Sequence, residues 1–207
     1  MEPGFALLLR ASSRCAAGVR GQLLVVVIGI FAGLLAACAT TPMVTYDLGA
    51  ANGGGAARAG RGQLVVNEPT ASLPTDSNRI VVRTGADAMA YLTGAQWPDK
   101  LPAVVQTRLI ESFENAHLLR AVGRPGMLAD YSLQTDIRRF ELDVGHSEAV
   151  VEISARIIGS SGRILAGQIF SARVPASRDD GATVTAALNV ASADVMRQIV
   201  LWAAPKV

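Results

Sequence analysis

From Asp130 to Val174 the chain alternates apolar and polar residues through three successive runs, and this period of two limits its fold more than any other feature. The first run places Tyr131, Leu133 and Ile137 on one parity and Phe140 and Leu142 on the other, with the change at Arg138-Arg139. A one-residue slip turns every later side chain to the opposite face of a sheet. A one-residue bulge at the two arginines therefore keeps both apolar sets facing one core. Val151, Ile153, Ala155 and Ile157 alternate along the second run, and Ile164 to Val174 returns as the third. His146 falls in the first connection, and Gly159-Ser160-Ser161-Gly162 supplies a four-residue hairpin loop at the second. Three half-apolar antiparallel strands need a second layer to cover them.

Two helical stripes provide that layer. Leu101, Val104, Val105, Leu109 and Phe113 fall on one face of a helix beginning at Asp99 and ending at Asn115-Ala116. Pro102 lies in its first turn, where an N–H has no intrahelical partner to lose. Val184, Leu188, Ala191, Val195, Ile199 and Trp202 form the stripe of a terminal helix from about Ala182 to Ala203. Shorter strands are expected around Val44, Tyr46 and Leu48, at Gln63 to Asn67, Arg79 to Arg83, Met89 to Leu92 and Leu118 to Val122. Ala50 to Gly62 is glycine-rich and aperiodic, and Glu68 to Asn78 carries Pro69 and Pro74, so both read as loops. The expected fold is α+β, a two-layer sandwich of a largely antiparallel sheet with two main helices on one face.

The amino-terminal segment imposes a different kind of limit. Arg10, Arg14 and Arg20 precede an uncharged apolar core from Leu23 to Leu35, which runs into Leu35-Ala36-Ala37-Cys38. This is the pattern of a secretory signal ending in a lipobox, cut before a cysteine that takes a diacylglyceryl group and then a further acyl chain such as palmitate. Leu23 to Ala37 falls short of the roughly twenty residues that span a bilayer. Each buried methylene contributes about 0.8 kcal/mol of membrane affinity, so two or three chains anchor durably. The expected division is 1–37 signal peptide, 38–45 lipidated tether and 46–207 folded domain.

Removal of the signal changes the charge and the cysteine count. The first 37 residues hold three arginines and one glutamate, so 16 basic and 16 acidic residues stay. No basic field is left to favour nucleic acid. Cys15 is discarded with the signal and Cys38 is then a lone thiol, so neither a disulfide nor a thiolate zinc site can form.

Candidate chemistry is sparse. His117 ends the first helix and His146 sits in a turn, and neither has the i, i+4 partner of a metalloprotease pair. Gly55 to Gly62 approximates phosphate-loop spacing but has Arg61 and Gly62 where Lys and Ser/Thr belong. No G-x-S-x-G elbow occurs. Asp179-Asp180 stands before a helix, as a calcium ligand pair or, on the simpler reading, an N-terminal cap. Arg138 and Arg139 read as either solvated arginines or partner contacts. Trp97 and Trp202 each border an apolar pattern, as core or interface residues. The expectation is a binding or assembly protein, not an enzyme, with no cofactor and no metal.

The ordered set of these features resembles the ABC-type transport auxiliary lipoproteins, which include the paraquat-inducible protein C-like lipoproteins. The resemblance rests on the lipobox at Cys38, Tyr46-Asp47-Leu48-Gly49, Arg79-Ile80-Val81-Val82-Arg83, Tyr91 and Trp97, Leu101-Pro102, Asp130-Tyr131-Ser132-Leu133, Phe140 and Trp202. The glycine-rich stretch Asn52 to Gly62 departs from the family pattern. The resemblance implies an accessory lipoprotein that works with a membrane ATPase, a permease and a mammalian-cell-entry-type substrate-binding protein in lipid transport. It implies anchoring at the periplasmic face of the outer membrane, docking of the periplasmic conduit, and a homo-oligomeric ring. Ala39 fits outer-membrane sorting, since retention at the inner membrane typically uses Asp there. The competing reading is a structural outer-membrane assembly or secretion lipoprotein not linked to an ABC transporter.

Overall fold

The computed structural model describes residues 42–53 and 59–207. The strands are β1 (Val44–Thr45), β2 (Gln63–Val66), β3 (Thr70–Ala71), β4 (Arg79–Arg83) and β5 (Met89–Gln96). Helix α1 (Leu101–Ala116) follows, then β6 (Ala121–Gly123), β7 (Tyr131–Asp143), β8 (Glu148–Gly159), β9 (Ile164–Pro175) and α2 (Gly181–Ala203), with a final 3-10 turn (Ala204–Lys206). The described residues contain no helix long and apolar enough to cross a membrane.

Strand β7 is the axis of the sheet. One of its edges pairs antiparallel with β8 along its whole length, and β8 pairs antiparallel with β9. Its other edge is shared end to end by three short parallel strands: β2 against Leu133 and its predecessors, β3 at Asp136–Ile137, and β4 at Glu141–Asp143. Strand β6 extends the sheet beyond β2, while β5 and β1 extend it beyond β4. The long ladders are antiparallel, and the added ones are short and parallel except β4–β5, which is antiparallel. The architecture is an α+β open sheet with two helices, as the periodicities indicate.

The bulge forms at the two arginines. Ile137 pairs with Ile153, but Arg139 pairs with Glu152, so Arg138 is the extra residue. Leu133 and Ile137 before it, and Phe140 and Leu142 after it, are all buried in one cluster. At the β8–β9 hairpin the Gly162 N–H donates to Gly159 O at 2.8 Å, and Gly162 has φ 78°, a conformation that favours glycine.

Both helices lie on the face that holds those apolar residues. The α1 stripe Leu101, Val104, Val105, Leu109 and Phe113 is wholly buried, as are Val184, Leu188, Ala191, Val195 and Ile199 of α2. Trp97 meets Phe140 edge-on with ring centroids 5.8 Å apart, and Trp202 meets Phe170 at 5.4 Å. Such aromatic pairs add about 0.5–1.5 kcal/mol beyond their burial. Asp180 caps α2 by accepting from Thr183 N at 2.9 Å, and that bond draws its carboxyl below the ordinary aspartate range. His117 ends α1 in the left-handed region, with its N–H donating to Glu114 O.

Three local expectations fail. The Glu68 to Asn78 connection, read as a loop, contains β3 (Thr70–Ala71). The first strand stops at Thr45; beyond Tyr46 the chain leaves the sheet edge and crosses the helices. There the Gly49 N–H donates to Asn189 Oδ1 at 2.7 Å, and the Ala51 N–H to Ser112 Oγ at 2.8 Å. Helix side chains thus satisfy the backbone groups that follow the expected strand and draw the chain off the sheet edge. The strand expected over Leu118 to Val122 begins only at Ala121. Leu118 and Leu119 instead pack against the core from an irregular segment.

Candidate functional site

The sheet face opposite the helices carries the polar parity of β7: Ser132, Gln134, Asp136, Arg139, Glu141 and Asp143. Parallel pairing with β4 sets Val81 beside Glu141 and Arg83 beside Asp143. Four charged side chains and His146 converge there. The Arg83 guanidinium donates to both Glu141 oxygens, at 2.8 and 3.2 Å. Arg139 Nε donates to Glu141 Oε1 at 2.7 Å, and its Nη2 to Asp143 Oδ2 at 3.1 Å. His146 Nδ1 lies 3.1 Å from Asp143 Oδ1. Glu141 is buried beneath the two arginines, with only 4% of its side chain exposed. A carboxylate so placed must be paired and hydrogen-bonded to sit out of water, and it is.

The bulge explains why both arginines reach this face, since two residues of β7 oppose one of β8. Arg138 pairs with Glu152 at 3.1 Å and is 45% exposed, while Arg139 is drawn into the network. Arg138 and Arg139 are therefore neighbours with different environments. Cys38 lies outside the described residues.

The hydrogen bond to His146, and then that to Arg139, hold Asp143 below the ordinary aspartate value of 3.8. A carboxyl depressed in the folded state stabilises the protein in full above its unfolded pKa, and that contribution is lost as pH falls through the folded value. Asp143→Asn is expected to flatten the acid limb of a melting temperature against pH curve below about pH 4. An unchanged slope in that variant would show that the network is not coupled to folding.

A shallow cleft of about 250 Å³ opens beside α1, lined by Asp47, Asp99, Thr107, Arg108 and Arg124 among others. Its arginines are engaged: Arg108 with Glu111 and Asp47, Arg124 with Gln106 and with Thr107 Oγ1 at 2.8 Å. These bonds tie the amino-terminal segment and the turn after β6 to α1. Among the described residues no group of three or more His, Cys, Asp or Glu side chains could hold a metal.

Sequence reasoning passed over Arg83, Glu141 and Asp143. Their parity with respect to the bulge marks Glu141 and Asp143 as facing away from the apolar set. Which arginines meet them depends on the parallel register of β4, which no local pattern encodes.

A profile of the ABC-type transport auxiliary lipoprotein component family matches residues 46–200. The chain belongs to that family, a class of membrane-associated periplasmic proteins of ABC-type transport. It is similar to the uncharacterized protein bll6063 of Bradyrhizobium diazoefficiens, with 32% identity over 181 residues, 84% of this chain. The chain spans about half (49%) of that relative's length. Among solved structures, protein XCC0632 of Xanthomonas campestris, assigned to DUF330, is similar with a TM-score of 0.73 and 30% identity. That likeness covers 78% of this chain and 95% of that one. A second, uncharacterized protein shares the fold at a TM-score of 0.62 and 14% identity, covering 80% and 98% of the two chains.

Proposed function

We propose that this protein is an outer-membrane-anchored periplasmic accessory lipoprotein of an ABC-type, mammalian-cell-entry-associated lipid transport system. Its task is to dock the periplasmic conduit, without catalysis of its own. The observation that carries this reading is the family match across residues 46–200, directly downstream of a lipobox at Cys38. Residues 1–37 are the signal peptide, 38–45 the lipidated tether and 46–207 the docking domain in this reading. The partners are the substrate-binding protein of the mammalian-cell-entry type, the permease and the ATPase, with the domain repeated in a homo-oligomeric ring. Arg138 and Arg139 are contact residues; Arg138, the more exposed, can exchange Glu152 for a partner carboxylate.

The test is affinity purification of the full chain from solubilised membranes. Transporter subunits are expected to be recovered with it. Recovery of barrel-assembly or secretin proteins without transporter subunits would overturn the assignment to transport.

A further inference from the structure

The arginines of the described domain divide by place. Seven of them, among them Arg83, Arg138 and Arg173, pair with carboxylates. Arg79 lies over the Tyr91 ring and Arg124 is bonded to Gln106 and Thr107. Among the described residues Arg61, Arg120, Arg156 and Arg163 have no side-chain partner, and all four are exposed.

All four sit at one end of the sheet. Arg61 and Arg120 precede the paired residues Gln63 and Ala121 by one or two positions. Gln63 begins the strand that runs parallel to the start of β7. Arg163 is in the hairpin that closes beside Tyr131, where Tyr131 pairs with Gly159, and Arg156 pairs with Gln134, three residues inward along β7. The same end exposes four large apolar side chains. Met127 and Leu128, in the turn leading into β7, are 60% and 97% exposed; Ile164 and Leu165, opening β9, are 59% and 51% exposed.

The tether joins the domain toward the other end. Strand β1 runs parallel to β5, so the chain before Val44 comes from the direction of Met89, which pairs with Arg83 beside Asp143. Cys38 lies four residues before Pro42, a reach of at most about 14 Å. The 13 residues of β7 span about 40 Å. The arginine-rich end is therefore the end of the sheet opposite the one from which the chain enters β1.

We infer that this end, built from the turn before β7 and the β8–β9 hairpin, is the docking surface for an acidic, apolar-bearing segment of a periplasmic protein partner. Exposed apolar residues flanked by four arginines that lack a side-chain partner, with Asp130 an exposed carboxylate held by the Gln63 N–H, are complementary to such a segment: its carboxylates neutralise the arginines and its apolar side chains cover Leu128 and Ile164. The direction this end faces rests on the anchored reading above, but the surface itself does not.

A photo-crosslinking residue at Leu128 or Ile164 of the full-length chain in cells tests this, with Val190 on α2, 57% exposed, as control. Capture is expected at the first two sites and not at Val190, with the captured segment mapping by mass spectrometry to an acid-rich stretch. Arg156→Glu with Arg163→Glu is expected to lower the yield by about tenfold while leaving the circular-dichroism melt unchanged, and lysines placed in the captured stretch restore it. Equal capture at Val190, a contact stretch without acidic residues, or capture of a second copy of this chain would overturn the inference. So would binding of the chain to phosphatidylglycerol vesicles that the same double variant abolishes. An acid-rich stretch in a protein outside any transporter would uphold the surface and overturn the transport assignment.

Discussion

Deleting Gln134 is expected to abolish the cooperative thermal unfolding of this domain, whereas deleting Arg138, four residues on in the same strand, leaves it folded. Arg138 is the residue that β8 does not match, so its removal turns a bulged ladder into a regular one. Ile137 and Phe140 then alternate without interruption, and the cost is close to that of the Arg138–Glu152 pair, at most about 1 kcal/mol. Without Gln134, either Tyr131 and Leu133 turn outward or the bulge closes and carries Asp136 and Arg138 into the core. Leu133 is fully buried. Expelling one such side chain costs about 2–5 kcal/mol, and burying an unpaired charge costs more, against a total stability of about 5–15 kcal/mol. Circular-dichroism melts of the two deletion variants check this; a stable Gln134 deletion would mean that the register is not held by the core.

Cys38→Ala is expected to remove all acyl labelling, leave the precursor uncleaved and stop normal lipoprotein maturation. The reason is chemical: the thioether to the diacylglyceryl group needs the sulfur, and no other cysteine follows residue 37 to supply it. Metabolic labelling with a palmitate analogue and the mobility of the precursor measure this. Normal maturation of the variant would overturn the anchor. The folded domain is expected to be indifferent to the change, because residues from Pro42 onward form a compact unit with its own core.

Legibility differed between elements for physical reasons. The stripes of α1 and α2, the three long strands and the bulge were visible because burial on one face imposes a period on the residues that supply it. Strand β3 was not, since Thr70–Ala71 is too short to show any period. The segment after Tyr46 alternated like a strand but left the sheet, because Asn189 and Ser112 offered its backbone other partners. Asp180 was readable as a cap from its place before an apolar stripe, and His117 from its place at the end of another.

The sequence by itself determined the α+β class, the bulge at Arg138-Arg139 and, once the first 37 residues are set aside, a single thiol at Cys38 and no net charge. These follow from local spacing and from counting, which need no knowledge of what lies across the fold. Only the tertiary structure decided that β2, β3 and β4 share one edge of β7, and hence that Arg83 meets Glu141 beside Arg139. It also decided that four arginines far apart in sequence gather unpaired at one end of the sheet. Parallel pairing joins residues some sixty positions apart, and no local pattern records which strand a strand will lie beside.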